Sequence, residues 1–114
     1  MNNLQRLQME TKGIELQQDE LIIYLEENNL SPFVEYKVDS ATSRKYIYQA
    51  ALSVLETVAN DITRFANKQH EDFNVSDFSV SIQNRIDQLE RKIRKLKTDE
   101  DIANETNFFM LFAD

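Results

Sequence analysis

Apolar residues recur three and four positions apart along much of the chain, the spacing that places side chains on one face of a helix. In the first segment, "NNLQRLQMETKG", Leu4 and Leu7 share such a face. Asn2 or Asn3 can cap its start, and Gly13 suits a left-handed stop at its end. The segment therefore predicts a short first helix.

A second helix is predicted over "LQQDELIIYLEENN". Its apolar stripe consists of Leu21, Ile22 and Leu25, and Asn28–Asn29 are suited to end it. Residues 30–39, "LSPFVEYKVD", contain the single proline of the chain and several residues that favour extended structure. We expect them to form an extended connection.

The third helix has the clearest pattern and is predicted from about Ser43 to Asn67. Its stripe, with steps of four and three, is Ile47, Ala51, Val54, Val58, Ile62 and Phe65. Three further residues widen that stripe, namely Ala50, Leu55 and Ala59. Such a wide apolar surface predicts the central helix of the fold.

A polar loop is predicted over residues 68–76, followed by a fourth helix that Ser79 or Ser81 caps and that runs to about Lys97. The stripe of this helix is Ile82, Ile86, Leu89, Ile93 and Leu96. Its last steps resemble a coiled-coil seam, but the seam is too short for an independent coiled coil. We therefore expect this helix to pack on its neighbours.

Composition supports an all-α protein, because the 114 residues include one glycine, one proline and no cysteine. Sandwiches and barrels need turn residues at short intervals, whereas long helices do not. We expect a small helical bundle of about four helices over residues 1–97, then an acidic linker and a C-terminal docking arm over residues 98–114. Without a long apolar run or a secretory leader, we expect a soluble protein with no membrane contact.

The chain has a net charge of −7, and its charged residues are unevenly distributed along the sequence. Residues 1–39 carry eight acids and three bases, residues 40–97 carry seven acids and ten bases, and residues 98–114 carry five acids and no base. A basic middle between acidic ends predicts complementary contacts, within the fold or between subunits.

The basic run near the end of the fourth helix is the first candidate site: Arg91, Lys92, Arg94, Lys95 and Lys97. These residues can face DNA phosphates or an acidic partner. Alternatively, they are the solvent face of an amphipathic helix, and cations are favoured near a helix C-terminus. Asp87 and Glu90 lie four positions before Arg91 and Arg94, so the sequence also predicts ion pairs within the helix.

The second candidate site is the apolar end of "NETNFFMLFAD", residues 104–114. Its anchors are Phe108, Phe109, Met110, Leu111 and Phe112. Burial of such side chains stabilises by about 1.5–3 kcal/mol each before ordering costs, and their exposure invites aggregation. We expect the segment to dock, either on the protein's own core or on another chain.

Catalysis is not indicated. His70, the single histidine, lies in a polar stretch without a recognisable nucleophile or set of metal ligands. No glycine-rich phosphate loop is present. We expect no enzyme activity, no metal site and no cofactor.

The order of these segments resembles a known family. "DELIIYLEENNLSP" leads to "YIYQAALSVLETVANDI", and "FNVSDFSVS" opens the helix "IQNRIDQLERKIRKL". In this order the chain is similar to the small head–tail connector (adaptor) proteins of tailed bacteriophages, especially those of Gram-positive hosts. The family's alanine-containing helix with a short "LE" segment is matched by Ala50, Ala51, Leu55 and Glu56, and its "D-x-S-V-S" stretch by Asp77, Ser79, Val80 and Ser81. The N-terminal region is shorter than in the larger family members.

The resemblance implies a virion protein that is assembled in the host cytoplasm and sits at the head–tail interface. Family members form a homo-oligomeric ring, commonly dodecameric, beneath the portal protein. The ring extends the DNA channel and presents a surface to the next tail-ward connector or stopper protein. Residues 104–114 would then reach the portal, and basic residues in the channel would contact DNA without reading its sequence. The alternative is a small cytoplasmic regulatory or nucleic-acid-binding helical module.

Overall fold

A computed structural model describes residues 1–62 and 74–96. The described residues form four helices: α1 (Asn3–Glu10), α2 (Gln18–Glu27), α3 (Ala41–Asn60) and α4 (Val75–Lys95). An antiparallel bridge pairs Asn2 with Glu35. The prediction of a small all-α bundle is thus confirmed for these residues. The arm and linker predicted over residues 98–114 lie outside them.

α1 begins with a reciprocal cap. The side chain of Asn2 accepts a hydrogen bond from Gln5 N at 2.8 Å, and the side chain of Gln5 accepts one from Asn2 N at 2.9 Å. This capping box pairs two backbone donors that the helix itself leaves free. Beyond the end of α1, Gly13 has φ +86°, which a glycine adopts without steric cost.

The connection between α2 and α3, residues 31–40, folds back onto the start of α1. Leu4 N donates to Pro32 O at 2.9 Å, Asn3 N donates to Val34 O at 3.0 Å, and Tyr36 N donates to Met1 O at 3.0 Å. The first amides of a helix have no partner inside it, so these carbonyls satisfy them. The predicted extended connection therefore has a structural role: it holds α1 in place.

α3 is the central helix, as predicted, because it contacts all three of the others. Ser40 caps it by accepting a hydrogen bond from Ser43 N at 3.1 Å. Tyr24 of α2 donates to Thr57 Oγ1 at 2.8 Å and ties the two helices together. The buried apolar core, drawn from all four helices and from Leu30, three residues after α2, is Leu4, Leu7, Leu21, Leu25, Leu30, Ile47, Ala50, Ala51, Val54, Leu55, Val58, Ile82, Ile86 and Leu89.

Three details of the α3 prediction are wrong. The helix begins at Ala41 rather than near Ser43, because Ser40 is the cap. It ends at Asn60, and the backbone of Asp61 has left the helical region, whereas the sequence predicts a helix to residue 67. Asn and Asp side chains compete for backbone hydrogen bonds and so favour helix ends. Ala59 is exposed, since it lies three positions after the exposed Glu56 on the solvent side of α3.

The predicted start of α4 is also wrong. Asn74, rather than Ser79 or Ser81, is the cap, and its side chain accepts a hydrogen bond from Asp77 N at 3.1 Å. Residues 75–78 are therefore helical. Their exposed positions hide the apolar pattern, and only the partly buried Phe78, four residues before Ile82, continues the stripe.

Candidate interaction surface

α4 runs antiparallel to α3. The start of α1 lies beside the first turns of α3, where Asn3, Thr42 and Tyr46 line one depression. Arg85 of α4 reaches the opposite end of α1, whereas Lys92, two turns later, lies over Tyr48 in the first half of α3. The last turn of α4 therefore approaches the start of α3 and brings the predicted basic run to that end of the bundle.

The structure describes four of the five residues in that run, and all four are exposed: Arg91, Lys92, Arg94 and Lys95. Lys92 Nζ lies 5.5 Å from the centroid of the Tyr48 ring, a cation–π contact between α4 and α3. The other three form no hydrogen bond or ion pair with another described residue. Lys97 lies outside the described residues.

The ion pairs predicted within α4 are absent among the described residues. Asp87 instead accepts a hydrogen bond from Gln83 Nε2 at 3.1 Å. Exposed pairs of this kind stabilise by about 0–1 kcal/mol, too little to hold two long side chains in one geometry. Arg91 and Arg94 therefore have no ion-pair partner in the described part of the chain.

Arg85 is a structural cation that the sequence analysis did not identify. Its guanidinium donates to the backbone carbonyl of Lys12 at 3.2 Å and to that of Glu10. Burial lowers the pKa of Arg85, and the nearby charge of Glu10 opposes that shift. A cation at the last carbonyls of a helix is favourable, and this one belongs to a different helix, so Arg85 joins α4 to α1. In the sequence, Arg85 lies three positions after Ile82 and directly before Ile86, so it borders the apolar stripe of α4, and this position indicates contact with another part of the fold.

Arg6 joins α1 to the connection. Its guanidinium pairs with Glu10 at 2.9 Å and lies 5.4 Å from the centroid of the Tyr36 ring. Burial alone would lower the pKa of Arg6, but the hydrogen bond and charge of Glu10, with a smaller contribution from Tyr36, outweigh it and raise the pKa. The contact fixes Tyr36 and, with it, the path of residues 34–40.

Next to Tyr36 the connection exposes apolar side chains. Phe33, Val34 and Val38 are exposed by 68%, 52% and 67% of their surface. Residues 34–40 line an open groove of about 680 Å³, which we call the connection groove. Exposed apolar surface of this kind often marks a contact site in a protein that is otherwise well packed.

The described residues contain no group of three or more potential His, Cys, Asp or Glu ligands for a metal ion. Within the same residues, no helix combines the length and the apolar character that a membrane span requires. His70 and the predicted anchors of the arm, Phe108 to Phe112, lie outside the part of the chain that the structure describes. The docking role of the anchors stays a prediction.

Comparison with known proteins gives no match: no family profile, no curated protein and no solved structure is similar to this chain at a significant level.

Proposed function

We propose that this chain is a structural assembly subunit, specifically a head–tail connector of a tailed bacteriophage that forms a ring beneath the portal protein. One observation carries the proposal: at one end of the bundle, exposed cations of α4 that have no ion-pair partner among the described residues lie near an exposed apolar connection. The order of sequence segments, which resembles that of connector proteins, supports the specific role. The proposal assigns no catalytic activity and no cofactor to the chain.

The charge distribution suits a ring of identical subunits. The first 39 residues carry eight acids and three bases, whereas the last turn of α4 carries Lys92, Arg94 and Lys95. When one surface of a subunit meets a different surface of its neighbour and the rotation closes, a ring results. Opposite charges on the two surfaces steer the encounter and fix its register.

In this proposal the C-terminal arm, with its anchors Phe108 to Phe112, binds the portal. The opposite side of the ring presents a surface to the next tail-ward connector or stopper protein. Cations that line the channel contact the phosphates of passing DNA without sequence specificity. The protein then resides in the virion, at the interface between head and tail, after assembly in the host cytoplasm.

Removal of residues 104–114 tests the proposal. The shortened chain is expected to keep its helices, because the core of the described bundle contains no residue beyond Leu89. It is expected to lose attachment to portal-bearing capsids, measured by co-sedimentation, while circular dichroism reports the helices.

The matched control replaces Asn104, Thr106 and Asn107 with Ala and keeps the apolar anchors. This variant should attach as the natural chain does. Full attachment of the shortened chain would contradict the docking role of the arm.

A second candidate function is favoured by the same cations. Arg91, Arg94 and Lys95 are exposed and unpaired among the described residues, as expected of a small nucleic-acid-binding or regulatory module. The net charge of −7 disfavours this candidate, because the whole chain repels phosphate.

A further inference from the structure

The connection groove is an apolar site without an occupant in the described part of the chain. Val34 and Val38 are more than half exposed and form part of its lining, and Phe33 is exposed beside them. The volume of about 680 Å³ falls within the range of sites that bind apolar side chains or small ligands. Its shape is held by Arg6 against Tyr36 and by the backbone hydrogen bonds to α1.

The surroundings of the groove carry charges of both signs. Arg44 in the first turns of α3 donates to Val38 O at 3.2 Å, which places that guanidinium at the groove, and Lys45 follows it. Lys37 lies in the lining, as do the acids Glu35 and Asp39. Two bases, Lys37 and Arg44, thus lie beside two acids around the groove.

The end of α4 adds cations to this side of the bundle. Because α4 is antiparallel to α3, its last turn, with Lys92 over Tyr48, points toward the start of α3. Arg94 and Lys95 follow Lys92 and are exposed. An occupant of the groove that carries acidic residues beside apolar ones would be complementary to this surface.

Residues 98–114 of the chain have that composition and start at the correct place. They begin two residues after Leu96, the C-cap of α4, whose last turn approaches the first turns of α3. They carry five acids and no base, with Asp99, Glu100 and Asp101 first and the apolar anchors last. The stretch from Leu96 to Phe108 spans up to about 40 Å when extended, enough to reach a groove at the same end of the bundle.

We propose that residues 108–112 dock in cis in the connection groove, with residues 99–101 lying against the cations at the end of α4. The occupant belongs to the same chain, so this docking does not depend on the connector function. It keeps the apolar anchors covered in the isolated subunit. A partner that captures the arm must compete with the groove.

A paramagnetic label tests the docking in the full-length chain. Because the chain has no cysteine, Thr106→Cys introduces a single attachment point for a nitroxide. In a ¹⁵N-labelled sample, the amide signals of residues 33–40 are expected to broaden, and reduction of the nitroxide should restore them. The signals of Ile23 and Val80, which are exposed apolar residues elsewhere, should stay sharp. No broadening of residues 33–40, or broadening that reaches Ile23 and Val80 equally, would overturn the proposal.

Mixing separates docking within one chain from docking on a second copy. The natural ¹⁵N-labelled chain is combined with unlabelled chain that carries the nitroxide at position 106. Docking in cis predicts that the ¹⁵N signals of residues 33–40 are unaffected. Their broadening in this mixture would show that a second copy supplies the occupant, and would overturn docking in cis.

Variants of the groove complete the test. Val34→Asp combined with Val38→Asp changes two exposed side chains, so the bundle should stay folded, as the dispersion of the remaining amide signals reports. The broadening of residues 33–40 is expected to disappear. Val80→Asp, a similarly exposed valine on α4, is the matched control and should keep the broadening. If the double variant retains it, the groove is not the docking site.

Discussion

At the scale of single residues, Arg85 shows how one side chain can join two helices that hardly touch. Its fork of donors meets the carbonyls of Glu10 and Lys12 at the end of α1, from a half-buried position on α4. The guanidinium stays charged at physiological pH despite its lowered pKa, since arginine is not deprotonated in proteins. The interaction is therefore a charged hydrogen bond to the favourable end of a helix dipole.

Arg85→Met is expected to lower the free energy of unfolding by about 1.5–3 kcal/mol, the usual contribution of hydrogen bonds to a charged group. Urea denaturation followed by circular dichroism measures it. Arg91→Met is the matched control: Arg91 is exposed and unpaired among the described residues, so its change should stay within about 0.5 kcal/mol. Equal effects of the two substitutions would show that the contacts of Arg85 do not stabilise the fold.

At the scale of elements, the end of α2 shows how a local motif directs the chain. Asn29 has φ +65°, Leu30 N donates to Leu25 O at 2.9 Å, and Asn29 N donates to Glu26 O at 3.2 Å. This is a Schellman motif with asparagine at the left-handed position, and its two leucines meet in the core. The motif turns the chain from α2 into the connection that holds α1.

Asn29→Val is expected to destabilise the protein by about 1–2 kcal/mol, because a side chain with a branched Cβ is strained at positive φ. Asn29→Gly at the same position is the control and should be neutral or slightly stabilising, since glycine adopts this conformation freely. Thermal or urea denaturation of the pair measures the difference. A valine variant as stable as the glycine variant would contradict the assigned backbone conformation.

At the scale of the whole molecule, acidic residues concentrate toward the two ends of the chain and basic residues in the last turn of α4. The cations of that turn contribute little to the fold, because only Lys92 has a partner, the Tyr48 ring, among the described residues. Charges that a fold does not use are available for association, where they act over about 8–10 Å at physiological salt. Substitution of these cations can therefore distinguish the two candidate functions.

Replacement of Arg91, Arg94 and Lys95 by Gln is expected to weaken attachment to portal-bearing capsids and to leave the fold intact. The charge-matched control replaces the exposed Gln8, Gln18 and Gln88 with Glu and should attach normally. A nucleic-acid-binding module predicts a different result, namely duplex binding by the isolated natural chain. In that case the slope of log K against log salt falls by about 0.9 for each phosphate contact removed. If the natural chain binds duplex and the Gln variant still attaches normally to capsids, the second candidate function is favoured.

Local sequence signals predicted much of the fold because they act within one element. The steps from Ile47 to Val58 mark the buried face of α3, and Asn2 with Gln5 forms a cap from neighbouring residues. The sequence does not predict the start of α4 for the same reason. The first two turns of this helix expose Val75 and Val80, so no buried apolar face marks them in the sequence. Both candidate sites follow from composition, and the structure describes only the exposure of Arg91, Lys92, Arg94 and Lys95.

The sequence by itself determined the all-α class, the four helical segments and the concentration of basic residues at the end of α4, since all of these follow from spacing and composition. Only the tertiary structure decided that Arg85 joins α4 to α1, that Lys92 lies over Tyr48, and that residues 34–40 form a groove beside the start of α3. These contacts join residues far apart in the chain. Their geometry depends on how the helices pack, which periodicity within one segment does not specify.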